Sequence, residues 1–137
     1  MLTWSQRKIA EKFNKTKIWA KERGLNFEIS EQQTGEFWQK PCHYCTWAIP
    51  TIGLDRIDNA KGYVIDNLIS SCPVCNGSKL VFSQAEYINH CRIVAAAHPG
   101  EIDYNMEEAM HRNYYRVKMQ AYDRVNNVTP KQPEMFK

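Results

Sequence analysis

The sequence has no apolar run approaching the length of a membrane span, no apolar h-region behind its basic N-terminus, no internal repeat and no low-complexity segment. These absences argue against a membrane-spanning chain, a secretory leader and a solenoid. Glu11 and Glu22 interrupt the basic N-terminal run, which also argues against an acid-poor transit peptide. An even cysteine count is lacking too: five cysteines fit poorly with a disulfide framework. What is present is ordinary for a globular protein, with 43% hydrophobic and 24% charged residues, so one domain is the expectation for 137 residues. A chain of that size buries a modest core, which a bound metal would help to hold.

The net charge is only +3, but it is unevenly placed. Residues 1–24 hold seven Lys/Arg against two acids, so this segment is +5 and the remainder −2. Such a basic arm fits a nucleic-acid partner and equally a solvated helix face. Residues 5–23 have helical periodicity, with Ile9, Phe13, Thr16 and Ala20 recurring at 4-3-4 spacing on one face. Lys8, Lys12, Lys15 and Trp19 lie about 90° round from it. These three lysines are the candidate DNA contacts of the arm, and Gly24 is the expected helix stop.

Further along, the pattern predicts a short strand at "LNFEI" and a short helix capped by Ser30 and Gln33 that runs to about Trp38. Two strands are expected over residues 52–58 and 62–65, joined by a turn at "DNAKG". A helical stretch to about Val81 and a helix from Gln84 to about Ala97, behind a Ser83–Glu86 capping box, come next. Residues 103–126 read as a long helix with two apolar stripes, one from Met106 to Val125 and one through Tyr115, Met119 and Tyr122. Cover on both sides, as in a homodimer, would account for two stripes. The tail 128–137 is polar and is expected to be flexible. Trp4, Trp19, Trp38 and Trp47 are expected to pack in the core or against the cysteine knuckles, and Cys91 to be buried in its helix.

Four of the cysteines form two pairs, Cys42–Cys45 and Cys72–Cys75, spaced Cys-x2-Cys-x26-Cys-x2-Cys. Each pair presents two thiolates close enough to share one zinc, and two pairs close a tetrahedral site. Four protein ligands leave no open position, so this zinc is structural. The loop between the pairs is longer than a zinc ribbon needs. It has room for a hairpin that carries Asp55-Arg56, followed by Asn67 before the second pair and Asn76 after it.

The stretch "PCHYC … GLDRIDNAKGYVIDNLISSCPVCNGSK" resembles the HNH (ββα-metal) nuclease family, in the subgroup whose fold is held by a four-cysteine zinc. Within it, small phage HNH endonucleases and a rare-cutting restriction enzyme share "DR" where "DH" is usual. The resemblance covers about residues 41–82 and closes on "CN-x-x-K". The preceding "AKERGLNFEIS" is similar to phage members less specifically, and the C-terminal third carries no family signal. The implied fold class is α+β: a ββα-metal core (41–82) on a structural zinc, flanked by a basic helical segment (1–40), by helices (83–127) and by the tail, in a single domain.

In the family the first His is the general base, the middle Asn supports the catalytic loop, and the last His or Asn binds a divalent metal. Those positions fall here on Arg56, Asn67 and Asn76, and the family's metal-binding Asp corresponds to Asp55. Asp55 and Asn76 are oxygen ligands suited to Mg²⁺ or Mn²⁺. Arg56 cannot be a base, because guanidinium stays protonated, but it can grip a phosphate and offset developing charge. The proton then goes to Tyr44, the residue type implied for members carrying this Arg, or to His43, which titrates in the right range, or to no side chain at all. Tyr44 would need a depressed pKa, which a metal and Arg56 could supply. Lys79 is a candidate phosphate contact, and Asp58 and Asn59 shape the turn. The bland alternatives are an intra-hairpin Asp55–Arg56 ion pair and a Tyr44 that only packs on the knuckle.

Three functions follow as expectations. The first is a metal-dependent DNA endonuclease with one-metal HNH chemistry, in the cytoplasm of a bacterial or phage-infected cell and serving restriction, homing or packaging. The second is a zinc-stabilised DNA-binding module that does not cleave. The third is a zinc-held protein-interaction domain.

Overall fold

The computed structural model describes residues 1–100 together with Asn105, Glu108, Ala109 and Arg112. The chain forms two compact units, Met1–Gly100 and Glu101–Lys137. Most of the expected 103–126 helix, both of its stripes and the tail lie outside the described residues. Within the second unit, the Asn105 side chain accepts a hydrogen bond from the Glu108 N–H at 3.1 Å, an N-cap contact.

The first unit opens with α1 (Trp4–Glu22), capped by Thr3 in a capping box with Gln6. It stops where expected: Gly24 takes φ +66° and the Leu25 N–H reaches back to the Ala20 carbonyl, closing a Schellman-type end. Its predicted face points inward, with Thr16 and Ala20 buried and Ile9 and Phe13 half-buried. Helix α2 (Glu31–Gly35) starts at Ser30 with the expected capping box but ends earlier than predicted. Tight turns replace the last expected turn of helix, and Gln39 adopts φ +52°.

The hairpin is shorter than expected and its second strand lies elsewhere. Strand β1 (Leu54–Arg56) pairs antiparallel with β2 (Leu68–Ser70), in register Leu54↔Ser70, Asp55↔Ile69, Arg56↔Leu68. The expected strand at 62–65 does not form. Tyr63 makes an isolated parallel bridge with Phe27, part of the "LNFEI" segment, and residues 65–67 make one turn of 3-10 helix. Alternating apolarity misplaced this strand because Tyr63 points into the core from the long hairpin loop, whereas the pairing is made by "LIS" after Asn67.

Helix α3 (Pro73–Lys79) follows directly, with Cys72 as N-cap and Pro73 at its first position. It ends in a turn closed by the Phe82 N–H on the Lys79 carbonyl, with Leu80 at φ +47°, ψ −117°. Helix α4 (Gln84–Ala97) starts at the predicted Ser83–Glu86 capping box. It buries no residue fully, and Cys91 is exposed rather than buried, so α4 lies over the surface of the core.

The core gathers Ala20, Ile29, Phe37, Ile52, Leu54, Tyr63 and Leu68, with Ile9, Leu25, Phe27 and Trp38 against it. Trp4 meets the Trp38 ring edge-on at 5.5 Å but stays largely exposed, as does Trp19, so these two are not the core residues expected. Gly53 marks the tightest approach of the core to the second knuckle: a Cβ there would collide with the Ser71 carbonyl. The Ser71 N–H donates to the Gly53 carbonyl at 3.1 Å, just beyond the paired strands, so neither segment can move aside without losing this bond. Gly53→Ala is therefore expected to lower stability by about 2 kcal/mol in urea unfolding, as overpacking does. Gly77→Ala, on the open face of α3 with nothing within 4 Å, is expected to raise it by about 0.5–1 kcal/mol. Equal effects at the two sites would refute this account of Gly53.

Candidate functional site

The first cysteine pair sits in a tight loop. The Cys42 N–H donates to the Trp47 carbonyl, the Thr46 N–H to the Cys42 carbonyl, and Pro41 bridges Ala48. The chain reverses through Thr46 at φ +63°. This loop is tied to β2 by the His43 N–H on the Ser70 carbonyl at 2.8 Å and by the Ser70 hydroxyl on the Lys40 carbonyl at 3.0 Å. The sulfurs of Cys42, Cys45, Cys72 and Cys75 all lie within 4.8 Å of one another, with Cys45 and Cys72 3.7 Å apart. Tetrahedral bonds of about 2.3 Å to one ion need sulfurs about 3.8 Å apart. The donor set therefore fits a single thiophilic metal ion.

The electrostatics of the cluster point the same way. Hydrogen bonding from Cys75 lowers the Cys72 thiol to about 5, and the Cys75 N–H at the start of α3 adds to this at 3.3 Å. Cys75 is pushed up, first by its hydrogen bond to Cys72 and then by burial, and burial raises Cys45 to about 11. Cys72 therefore favours the thiolate, whereas Cys45 and Cys75 are held toward the thiol, and a cation among the sulfurs would favour their ionisation.

Strand alternation sends the side chains of Asp55 and Arg56 to opposite faces of β1, so the intra-hairpin ion pair does not form. Asp55, only 5% exposed, instead faces the fully buried Lys79 of α3, with Oδ2 3.6 Å from Nζ. Burial pushes the Asp55 carboxyl above its ordinary range, and the Lys79 ammonium opposes that shift. Nζ also reaches the Arg56 carbonyl at 3.4 Å. The phosphate contact expected of Lys79 is thus corrected: its ammonium lies inside the protein, spent on Asp55 and the β1 backbone.

Arg56 is fastened to the loop that follows it. Nη1 donates to the carbonyls of Asn59 (2.8 Å) and Lys61 (2.9 Å), and the guanidinium lies over the Tyr63 ring at 5.4 Å. Asn67 pins the same loop from within. Its side chain accepts from the Asp58 N–H and donates to the carbonyls of Asp58 and Gly62. Asp58 closes the turn through the Ala60 N–H, and the Asn59 amide ties the loop to the Leu80 carbonyl.

Tyr44 is wedged edge-on between His43 and Tyr87 of α4, each 5.2 Å away, while His43 is exposed. Burial, then the charges of Asp55, Cys42 and Cys75, push the Tyr44 phenol above its usual range, opposite to the depression that a base would need. Tyr44 Oη and Asp55 Oδ2 are the two buried side-chain polar atoms without a hydrogen-bond partner among the described residues. Asn76 is exposed on α3, one turn before Lys79, and no hydrogen bond joins it to Asp55 among the described residues.

The α1 lysines diverge. Lys8 pairs with Glu11 at 3.2 Å, Lys15 lies over the Trp19 ring at 4.9 Å, and Lys12 lines a cavity of about 230 Å³ with Thr16, Trp19, Arg23, Leu54, Tyr63 and Asn76. The sequence reading missed Arg23 and Thr16 here, although Lys12, Thr16, Trp19 and Arg23 repeat at 4-3-4 spacing and so share a face of α1.

An α+β unit whose β1–β2–α3 core hangs on four clustered sulfurs has the architecture expected of a ββα-metal core. Comparison with solved structures agrees, since the rare-cutting HNH restriction endonuclease PacI has a similar fold. The likeness has a TM-score of 0.54 at 21% identity and covers 66% of this chain and 78% of that one. Among curated proteins, the uncharacterized protein R423 of Acanthamoeba polyphaga mimivirus is 31% identical over 88 residues. That match takes in 63% of this chain, which spans only 17% of the relative's length. No protein-family model matches the chain.

The buried Asp55–Lys79 pair gives a direct test of the site's architecture. Lys79→Met leaves a buried unpaired carboxylate and is expected to cost about 3–5 kcal/mol. Adding Asp55→Asn is expected to recover most of that loss, giving a coupling above about 1 kcal/mol in a double-mutant cycle read by urea unfolding. Additive effects would show that the two groups do not depend on each other.

Proposed function

We propose that the chain is a metal-dependent DNA endonuclease of the HNH (ββα-metal) type, its core held by a structural zinc in the Cys42, Cys45, Cys72, Cys75 cluster. One observation carries the reading. The two orphaned buried polar atoms among the described residues, Asp55 Oδ2 and Tyr44 Oη, belong to the residue that the resemblance implies as metal ligand and to one of the two candidates for the base. Buried polar groups are almost always satisfied, and exceptions call for an ion, a water or a chemical role.

On this reading Asp55 and Asn76 hold a Mg²⁺ or Mn²⁺ ion. Such an ion supplies charge neutralisation at the phosphorus and the leaving oxygen. Arg56 keeps Nε and Nη2 for a phosphate, while its Nη1 contacts fix the guanidinium plane. Asn67 acts by positioning, since its three hydrogen bonds set the loop that holds Arg56. Lys79 also positions, by holding Asp55 from below. For the proton, Tyr44 stands beside Asp55 and His43 stands in the open. Burial is the first cause of the upward shift of Tyr44 and stays with any metal bound; the lesser charge contributions come from Asp55, Cys42 and Cys75, groups that two metal sites would neutralise.

The second reading is a zinc-stabilised DNA-binding module without cleavage. It is favoured by Lys79, whose ammonium already serves as the counter-charge of Asp55. Supercoiled plasmid incubated with protein and Mg²⁺ or Mn²⁺ separates the two. Conversion to nicked or linear DNA is expected, with Asp55→Ala and Asn76→Ala each slower by about 10²-fold or more. An uncut plasmid would leave the second reading, and full activity in both variants would discard the proposed metal ligands. Tyr44→Phe and His43→Ala assign the base, and wild-type rates in both would dismiss these candidates.

Metal analysis is expected to return one zinc per chain, with strong chelation melting the first unit. Stability unchanged after chelation would overturn the structural zinc.

A further inference from the structure

The cavity between α1 and the hairpin draws cations together without an acid. Lys12 is half-buried in its wall and makes no ion pair among the described residues, and neither does Arg23 at the mouth of the helix end. Burial, and after it the charge of Lys15 one turn along, lowers Lys12 from its usual pKa. Holding an ammonium in a partly desolvated site beside like charge costs free energy unless an anion completes it. The remaining wall is neutral: Thr16, the Trp19 ring, Leu54, Tyr63 and Asn76. Asn76 is also a metal ligand on the reading above, so whatever fills the cavity lies beside the proposed reacting centre.

We propose that this cavity is a backbone-phosphate subsite, in which Lys12 and Arg23 hold a phosphodiester of the nucleic acid next to the one gripped by Arg56. The inference rests on the nucleic-acid reading above and deepens it. It also assigns α1 a specific task. Among the basic residues of α1 and its C-cap, Lys12 and Arg23 line the cavity, whereas Lys8 pairs with Glu11 and Lys15 lies over the Trp19 ring.

The test is binding of a labelled DNA duplex by anisotropy across a salt series, without a divalent ion, for wild type, Lys12→Met, Arg23→Met and Arg23→Lys. The two Met variants are each expected to weaken binding and to reduce the slope of log K against log[salt] by about 1, and Arg23→Lys to retain the wild-type slope. Lys12→Met keeps the aliphatic stem and removes the buried charge, so it should melt at or above the wild-type temperature. Arg23 is exposed, so its variant reports binding whatever happens at Lys12. Wild-type slopes in both Met variants would overturn the subsite while leaving the nucleic-acid reading intact. No salt-dependent binding by wild type would overturn both. Calorimetric binding of inorganic phosphate as tight as that of the duplex, lost in Lys12→Met, would assign the cavity to free phosphate and overturn the diester assignment.

Discussion

Four sulfurs within 4.8 Å of one another are the constraint on which the rest of the first unit depends. Thiolates so close repel, and a cation among them would remove that repulsion, so the arrangement suits a bound metal ion. The cluster joins pieces far apart in the chain. One half is a loop hydrogen-bonded to β2 through His43 and Ser70, and the other half is the first turn of α3. Cys72 is both a member of the sulfur cluster and the N-cap of α3, its Sγ accepting from the Cys75 N–H, so one sulfur serves the cluster and the start of the helix. The positions of Asn76 and Lys79 on α3 follow from it.

A second theme is charge held inside at a cost. Lys79 and Asp55 are both buried, and Oδ2 receives no hydrogen bond among the described residues. A stability-optimised core would place apolar side chains there, since well-packed residues of similar volume often match or exceed a buried ion pair. Lys12 repeats the pattern on α1, with burial, a like charge from Lys15 and no acidic partner among the described residues. Both positions are costly in the fold, and α3 touches both, through Lys79 in the pair and through Asn76 in the wall of the Lys12 cavity; a phosphate and its counter-ion would bring compensating charge there.

Much of this was legible in the sequence, for identifiable reasons. The capping boxes at Ser30 and Ser83, the Gly24 stop and the inward face of α1 are local signals, and local hydrogen bonding decides them. The cysteine spacing foretold the cluster because ligand geometry leaves few alternatives. The second strand was not legible. Its placement depends on Asn67 closing a long loop through three hydrogen bonds, and on Tyr63 pairing with distant Phe27, neither of which leaves a periodic trace. Lys79 misled for a similar reason: a lysine near a helix end reads as solvated, and only tertiary contact reveals its carboxylate partner. The Lys12–Arg23 face was hidden because Thr16 belongs both to it and to the apolar stripe beside it.

The Asp55–Lys79 pair bears on the order of events in the proposed reaction. A lone carboxylate already neutralised by an ammonium at 3.6 Å attracts a divalent ion weakly. Asn76 adds a neutral oxygen, so the protein alone offers little net negative charge to Mg²⁺, an ion that is commonly held by one or two carboxylates together with substrate phosphate. The missing charge would come with the nucleic acid. A phosphodiester gripped by Arg56 would complete the ion's surroundings, and metal and substrate would then bind as partners rather than in sequence. In such a site Lys79 does more than hold Asp55: by lowering the protein's own hold on the ion, it makes occupancy depend on the substrate.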